Sequence, residues 1–161
     1  MTKFLLSVHV LAAILTIGPV AVAASLFPRY ARQPAAEGAD AGGPAPGVAA
    51  FLHRICQGYA VVGIAVPVFG FSTAAQLGVL TDAWLIASVV LTAIAAALLA
   101  LAILPGQQRL LTSSEATTTT ANASANAQAA TRLTMLTGIF NLLWAIVVVL
   151  MIVRPGSTTG A

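Results

Sequence analysis

The fold is decided by the stretch 83-AWLIASVVLTAIAAALLALAIL-104, in which no residue is charged. A hydrocarbon core of about 30 Å needs about 20 helical residues, so this stretch is long enough to cross a bilayer. Three more stretches share its length and apolar character, and all seven Lys and Arg and all four Asp and Glu lie outside the four. We therefore predict four membrane spans, at about residues 4–27, 55–80, 83–104 and 133–153.

The composition leaves little room for a soluble domain. The 161 residues are 59% hydrophobic and 7% charged, and a domain of this size cannot hide so much apolar surface from water. In lipid the backbone polar groups must be satisfied inside helices. The predicted fold class is all-α, an antiparallel up-down-up-down four-helix bundle that forms one membrane domain over 1–161. Flexible loops are predicted at 28–47, rich in Ala, Gly and Pro, and at 107–131, which is low in complexity. The alternative for the second loop is a frayed helical lead into the fourth span from Ala121.

The basic residues indicate an orientation in the membrane. The predicted loop side carries five arginines, whereas the terminal side carries Lys3 and Arg154. The positive-inside rule then predicts that loops 28–54 and 105–132 are cytoplasmic and that both termini are external, in a bacterial plasma membrane. The net charge of +3 comes from residues scattered beside the spans, so it does not indicate nucleic-acid binding.

The first span has an alternative interpretation as a secretory signal peptide. Lys3, the apolar run and the small triplet AVA at 21–23 fit such a segment and its cleavage site. Cleavage would leave three spans and place the arginines that follow on the external side, against the charge rule. We therefore expect the first span to be kept.

Small residues predict where the helices contact one another, because apolar side chains gain nothing by leaving lipid for each other. The third span has Ala93, Ala97 and Ala100 on one face. In the fourth span Gly138 and Asn141 belong to a small, weakly polar stripe. Both faces are predicted helix-packing surfaces.

His9 is the residue most suggestive of chemistry. Ionisable groups inside a membrane are rare, and an imidazole there serves as a haem or metal ligand, a proton relay or a hydrogen-bonded structural group. Met151, late in the fourth span, is predicted at a similar depth. A His9 and Met151 pair would suit haem or cuprous copper.

His53 and Cys56 lie three residues apart and so share one face at the start of the second span. Imidazole and thiolate are a suitable pair of metal ligands, although two ligands do not complete a site. The alternative is an interfacial cluster in which Arg54 extends its charged end towards water. In the predicted topology His53 lies about 25 Å from His9 along the membrane normal, so the two cannot ligate one haem.

The segment SVHVLAAILTIGP, residues 7–19, resembles the first helix of a family of uncharacterised four-span bacterial integral membrane proteins. It is more loosely similar to copper-resistance D proteins and to haem-binding membrane protoporphyrinogen oxidases. In those groups a histidine early in the first span precedes a small residue, as His9 precedes Gly18. Thr16 stands here where a tryptophan is common, and Pro19 replaces a further small residue. The resemblance implies a four-span fold and, for the looser relatives, haem or copper bound at His9.

Three functions follow as hypotheses. The first is a non-enzymatic accessory or assembly protein without a cofactor, whose partners are the lipid bilayer, other membrane proteins or a second copy. The sequence has no phosphate loop, no metalloprotease motif, no nucleophile elbow and no intramembrane pair of carboxylates, which favours a protein that is not an enzyme. The second hypothesis is haem or copper binding through His9. The third is a small transporter or channel, which requires a continuous polar path through four residues of the second span: Gln57, Ser72, Thr73 and Gln76.

Overall fold

The computed structural model describes residues 2–32, 44–115 and 120–156, and within them it contains helices and no strand. The helices are α1 Thr2–Ala31, α2 Pro44–Val62, α3 Ala65–Leu77, α4 Ala83–Leu98, α5 Leu104–Glu115 and α6 Thr120–Val153, with a π-helical turn Leu99–Ile103 between α4 and α5. Four stretches are long and apolar enough to cross a membrane: Lys3–Ala31, Gly47–Leu77, Ala83–Ser113 and Ala123–Val153. The predicted all-α, four-helix membrane bundle is confirmed.

The second span is broken between α2 and α3 at Gly63 and Ile64. Pro67 lacks the N–H group that would donate to the Gly63 carbonyl in an unbroken helix. The Val66 N–H donates to that carbonyl instead, at 3.1 Å, one residue early. A side chain at Gly63 would lie 3.3 Å from Thr16 Cγ2 of α1. The break therefore coincides with a close approach of α1.

One face of α1 forms much of the core. Val20, Ala23, Ala24 and Phe27 are buried, at the three- and four-residue spacing of one helix face. They pack with buried residues from the other elements: Cys56, Ala95, Leu99, Ile103 and Phe140. Helix α1 contacts α2, α3 and α6, and the face formed by these four residues points into the bundle.

The turn between the second and third spans is closed by Gly78 and Asp82. Gly78 ends α3 with φ of 71°, a left-handed conformation that glycine adopts without strain. The Asp82 carbonyl accepts the first backbone hydrogen bonds of α4, and its carboxylate accepts the indole N–H of Trp84 at 3.0 Å. Trp84 is thereby fixed at the end of its span.

The polar segment 107–131 differs from the flexible loop predicted for it. Helices α5 and α6 cover this segment except residues 116–119, which lie outside the described residues. Alanine and glutamine favour helix, and Leu110 and Ala130 are buried against the main core, so the segment has an apolar side that holds it as a helical hairpin.

The other predicted loop, 28–47, is helical at both of its ends. Helix α1 continues through Pro28 to Ala31, and α2 already begins at Pro44. Residues 33–43 lie outside the described residues.

Candidate functional site

His9 lies where α1 crosses the first turn of α3. Its side chain is 8% exposed, and ring Nδ1 is 2.9 Å from the carbonyl oxygen of Val66. A carbonyl oxygen can only accept a hydrogen bond, so Nδ1 carries the proton and donates. The neutral ring then keeps its lone pair on Nε2, and the hydrogen bonds of the described residues leave Nε2 without a partner.

Gly70 makes room for this imidazole. A Cβ at Gly70 would lie 2.9 Å from Cε1 and 3.2 Å from Nδ1 of His9, so any side chain there would displace the ring. Helix α3 therefore supplies both the acceptor, at Val66, and a bare stretch of backbone beside the ring. Metal-ligating histidines typically donate one ring N–H to a carbonyl or carboxylate and bind the metal through the other nitrogen. His9 has the orientation of such a ligand.

Met151 does not share this environment. It packs against a separate apolar cluster that includes Trp84 and Leu85, whereas the contacts of His9 are with the first turns of α3. Among the residues that the structure describes, no group of three or more His, Cys, Asp and Glu is placed to hold a metal ion. Within the described residues, His9 is one oriented ligand, and Met151 is not beside it.

The second histidine belongs to a buried polar cluster of His53, Gln107 and Cys56. His53 Nδ1–H donates to Gln107 Oε1 at 2.9 Å, and the Gln107 amide N–H approaches Cys56 Sγ at 3.7 Å. All three side chains are at most 5% exposed. The sequence placed His53 and Cys56 on one face, and the structure brings them to the same amide group of α5.

His53 Nε2 is buried and has no hydrogen-bond partner among the described residues. The ring also packs against Phe27, with ring centroids 6.5 Å apart. With Nδ1 held by Gln107, the ring presents a lone pair towards apolar surroundings. The third member of the cluster, Gln107, was missed from the sequence because its segment was predicted to be a loop.

The two histidines lie far apart in the bundle. His53 contacts Phe27, which follows His9 by eighteen residues in the continuous helix α1. At about 1.5 Å per helical residue, the two levels are about 27 Å apart. This agrees with the predicted separation and excludes a single cofactor held by both histidines of one chain.

The predicted packing face of α4 points outward, and so does Gly138 of the predicted face of α6. Ala93, Ala97 and Ala100 are exposed, and the buried positions of α4 include Ser88 and Ala95 instead. Gly138 is also exposed, with nothing within 4 Å of the position of an added Cβ. These small residues therefore do not mediate the contacts seen within this chain.

Asn141 does mediate a contact inside the bundle. Its side-chain N–H donates to Ser25 Oγ of α1 at 3.1 Å. Its Oδ1 is buried without a partner among the described residues, as are Thr137 Oγ1 and Trp144 Nε1 on neighbouring turns of α6. The face of α6 that meets α1 is thus polar at three positions in mid-span.

The four residues expected to line a transport path do not form one within the described bundle. Gln57, Ser72 and Gln76 are exposed on the outside. Thr73 is buried, but its hydroxyl donates to the Phe69 carbonyl of its own helix at 2.8 Å. The polar path that a channel needs is therefore not formed by these residues.

Comparison with family models, with curated proteins and with solved structures gives no match to this chain. The resemblance of residues 7–19 to other four-span proteins therefore stays a prediction.

Proposed function

We propose that this chain is a non-enzymatic protein of the bacterial plasma membrane that acts as an accessory or assembly component. In this proposal it packs against other membrane helices, including those of a second copy. The observation that supports it is the exposed face of α4 formed by Ala93, Ala97 and Ala100. Small residues let helix backbones approach closely in lipid, and here that face is left open by the chain's own packing.

The orientation in this proposal has cytoplasmic loops and external termini. One contact supports it: Arg32 Nη2 donates to Thr131 Oγ1 at 2.8 Å, which joins the end of α1 to α6 next to Arg132. The positive-inside rule assigns that end to the cytoplasm. Cysteine accessibility at Ser113 and Pro155, each replaced by Cys, would test it with a reagent that does not cross the membrane, since Pro155 is exposed just beyond the end of α6. Labelling of Ser113→Cys in intact cells would refute it.

The assembly role is tested in native membranes. Ala97→Phe places a large side chain on the exposed α4 face, so the complex that contains this protein should become smaller on a native gel. Ala75→Phe is the matched control, since Ala75 is exposed on α3, outside that face. If the wild-type protein runs as a monomer, or if both variants behave alike, the proposal fails.

A second function is favoured by the geometry of His9. With Nδ1 engaged by Val66 and Nε2 unengaged, His9 would serve as one ligand to haem or cuprous copper. The other ligand would come from outside the chain, for instance His9 of a second copy. Bound haem would supply electron transfer, and copper would be held as a cargo or redox centre.

A visible absorption spectrum and metal analysis of the purified protein test this second function. A Soret band or bound copper that disappears in His9→Ala but persists in His53→Ala would support it. The absence of both from wild-type protein that was expressed with haem and copper supplied would refute it.

A further inference from the structure

A groove of about 280 Å³ runs between α5 and the first part of α6. The two helices meet at Gly106 and Leu133, both of which line the groove, and a Cβ at Gly106 would lie 2.8 Å from Leu133 Cδ2. The lining changes character along its length. Leu101 and Leu136 belong to the apolar spans, whereas Arg109 and Arg132 belong to the polar hairpin that extends beyond them. The groove therefore extends from the apolar part of these helices to their polar part.

The polar end of the groove is cationic. Arg109 and Arg132 line it together with Ser113 and Asn126, and both arginines are exposed. Hydrogen bonds of the described residues engage the guanidinium groups of other arginines but not these two. Asp82, the acidic residue whose side chain is described, lies at the other end of the bundle, bonded to Trp84. Two exposed guanidinium groups without a hydrogen-bond partner among the described residues are complementary to an anion.

We propose that this groove binds one anionic phospholipid, with the headgroup phosphate at Arg109 and Arg132 and an acyl chain along Leu101 and Leu136. Guanidinium groups bind phosphate oxygens through paired, charge-assisted hydrogen bonds. Asn126 adds an amide N–H able to donate to the remaining headgroup oxygens, whereas the Ser113 hydroxyl already donates to the Arg109 carbonyl at 2.7 Å. A small soluble anion would fill only the cationic end of the groove, because the apolar end has no group that binds an anion. In the proposed orientation the groove opens to the cytoplasmic leaflet, which carries the anionic lipids.

Native mass spectrometry of the full chain in detergent tests the headgroup contact, with phosphatidylglycerol and phosphatidylcholine as probes. We expect a one-to-one complex with phosphatidylglycerol that is retained in preference to phosphatidylcholine. Each basic residue at a membrane surface contributes about fivefold in affinity, so Arg109→Gln combined with Arg132→Gln should weaken phosphatidylglycerol binding about 30-fold. Arg29→Gln combined with Arg54→Gln removes the same charge from exposed arginines at the same end, outside the groove, and should change binding less than twofold.

A second pair of variants tests the groove itself with both arginines intact. Ala129 lines the groove and is exposed, so Ala129→Phe should obstruct the acyl chain and lower retention of phosphatidylglycerol. Ala127→Phe, on an exposed position outside the lining, should not. Far-ultraviolet circular dichroism confirms that each variant is folded before its binding is compared.

Three results would overturn the proposal. Equal losses in the two double-arginine variants would mean that only total charge matters. Unchanged binding in Ala129→Phe would mean that no lipid lies in the groove. Displacement of phosphatidylglycerol by inorganic phosphate as effectively as by more of the same lipid would mean that the acyl chain contributes nothing.

Discussion

Replacing Gln107 with leucine should destabilise the bundle more than replacing its partner His53 does. In Gln107→Leu the ring N–H of His53 loses its acceptor, and His53 Nε2 is already without a partner among the described residues, so both ring nitrogens become buried and unpaired. Leaving a buried donor unpaired costs about 1–3 kcal/mol, and hydrogen bonds in membrane bundles average about 0.6 and reach about 1.7 kcal/mol. We therefore expect Gln107→Leu to lower the free energy of unfolding by about 1.5 kcal/mol.

His53→Leu should be milder. It leaves Gln107 Oε1 unpaired, but it also removes the unpaired Nε2, and the Gln107 amide keeps its contact with Cys56 Sγ. The two effects partly cancel, so a loss of about 0.5 kcal/mol is expected. The double variant replaces both polar partners by apolar groups, which is close to neutral, so it should be at least as stable as Gln107→Leu alone. With single losses of about 1.5 and about 0.5 kcal/mol and a double variant close to neutral, the coupling energy should be about 2 kcal/mol.

The measurement is reversible unfolding in mixed micelles with increasing dodecyl sulfate, followed by circular dichroism. Gln108→Leu is the matched control, because Gln108 is the next residue of α5 and is exposed where Gln107 is 1% exposed. Its effect should stay within about 0.5 kcal/mol. If the two single effects add in the double variant, or if Gln108→Leu destabilises as much as Gln107→Leu, the His53–Gln107 hydrogen bond does not contribute as the structure indicates.

Two further predictions concern the histidine contact of α1 and the buried thiol. Gly70→Ala should destabilise the protein by about 1 kcal/mol. Overpacking against the His9 ring costs about 1–3 kcal/mol, and the higher helix propensity of alanine offsets up to about 1 kcal/mol of that cost. Gly18→Ala, whose Cβ would meet nothing within 4 Å, should be neutral or stabilising in the same unfolding assay, and the reverse order would contradict the packing at His9. Cys56 is fully buried, so maleimide should label it only after the protein is unfolded. A cysteine at the exposed position in Ser113→Cys should be labelled in the folded protein. Rapid labelling of Cys56 in the folded protein would contradict its buried position.

The sequence was sufficient for the spans and for several local features, because lipid imposes rules that act on single segments. Charge-free stretches of sufficient length predicted all four spans. Three-residue spacing placed His53 and Cys56 on a shared face. The same reasoning could not identify Gln107, because a polar residue at the end of a span can also point its side chain to water. Only tertiary contact with α2 shows that it is inside.

The predicted inner faces of α4 and α6 show where such rules end. In a soluble helix, polar residues mark the face that meets water, so the opposite face must be the core. In a membrane helix the lipid-facing side is as apolar as the core, and the same small residues serve a contact within the chain or one with another chain. Ala97 and Gly138 were therefore predicted to be helix-contact residues, but the sequence did not determine which helix they would contact. The described helices leave both exposed while Ala95 is buried, so any helix contact at Ala97 or Gly138 is made outside these helices.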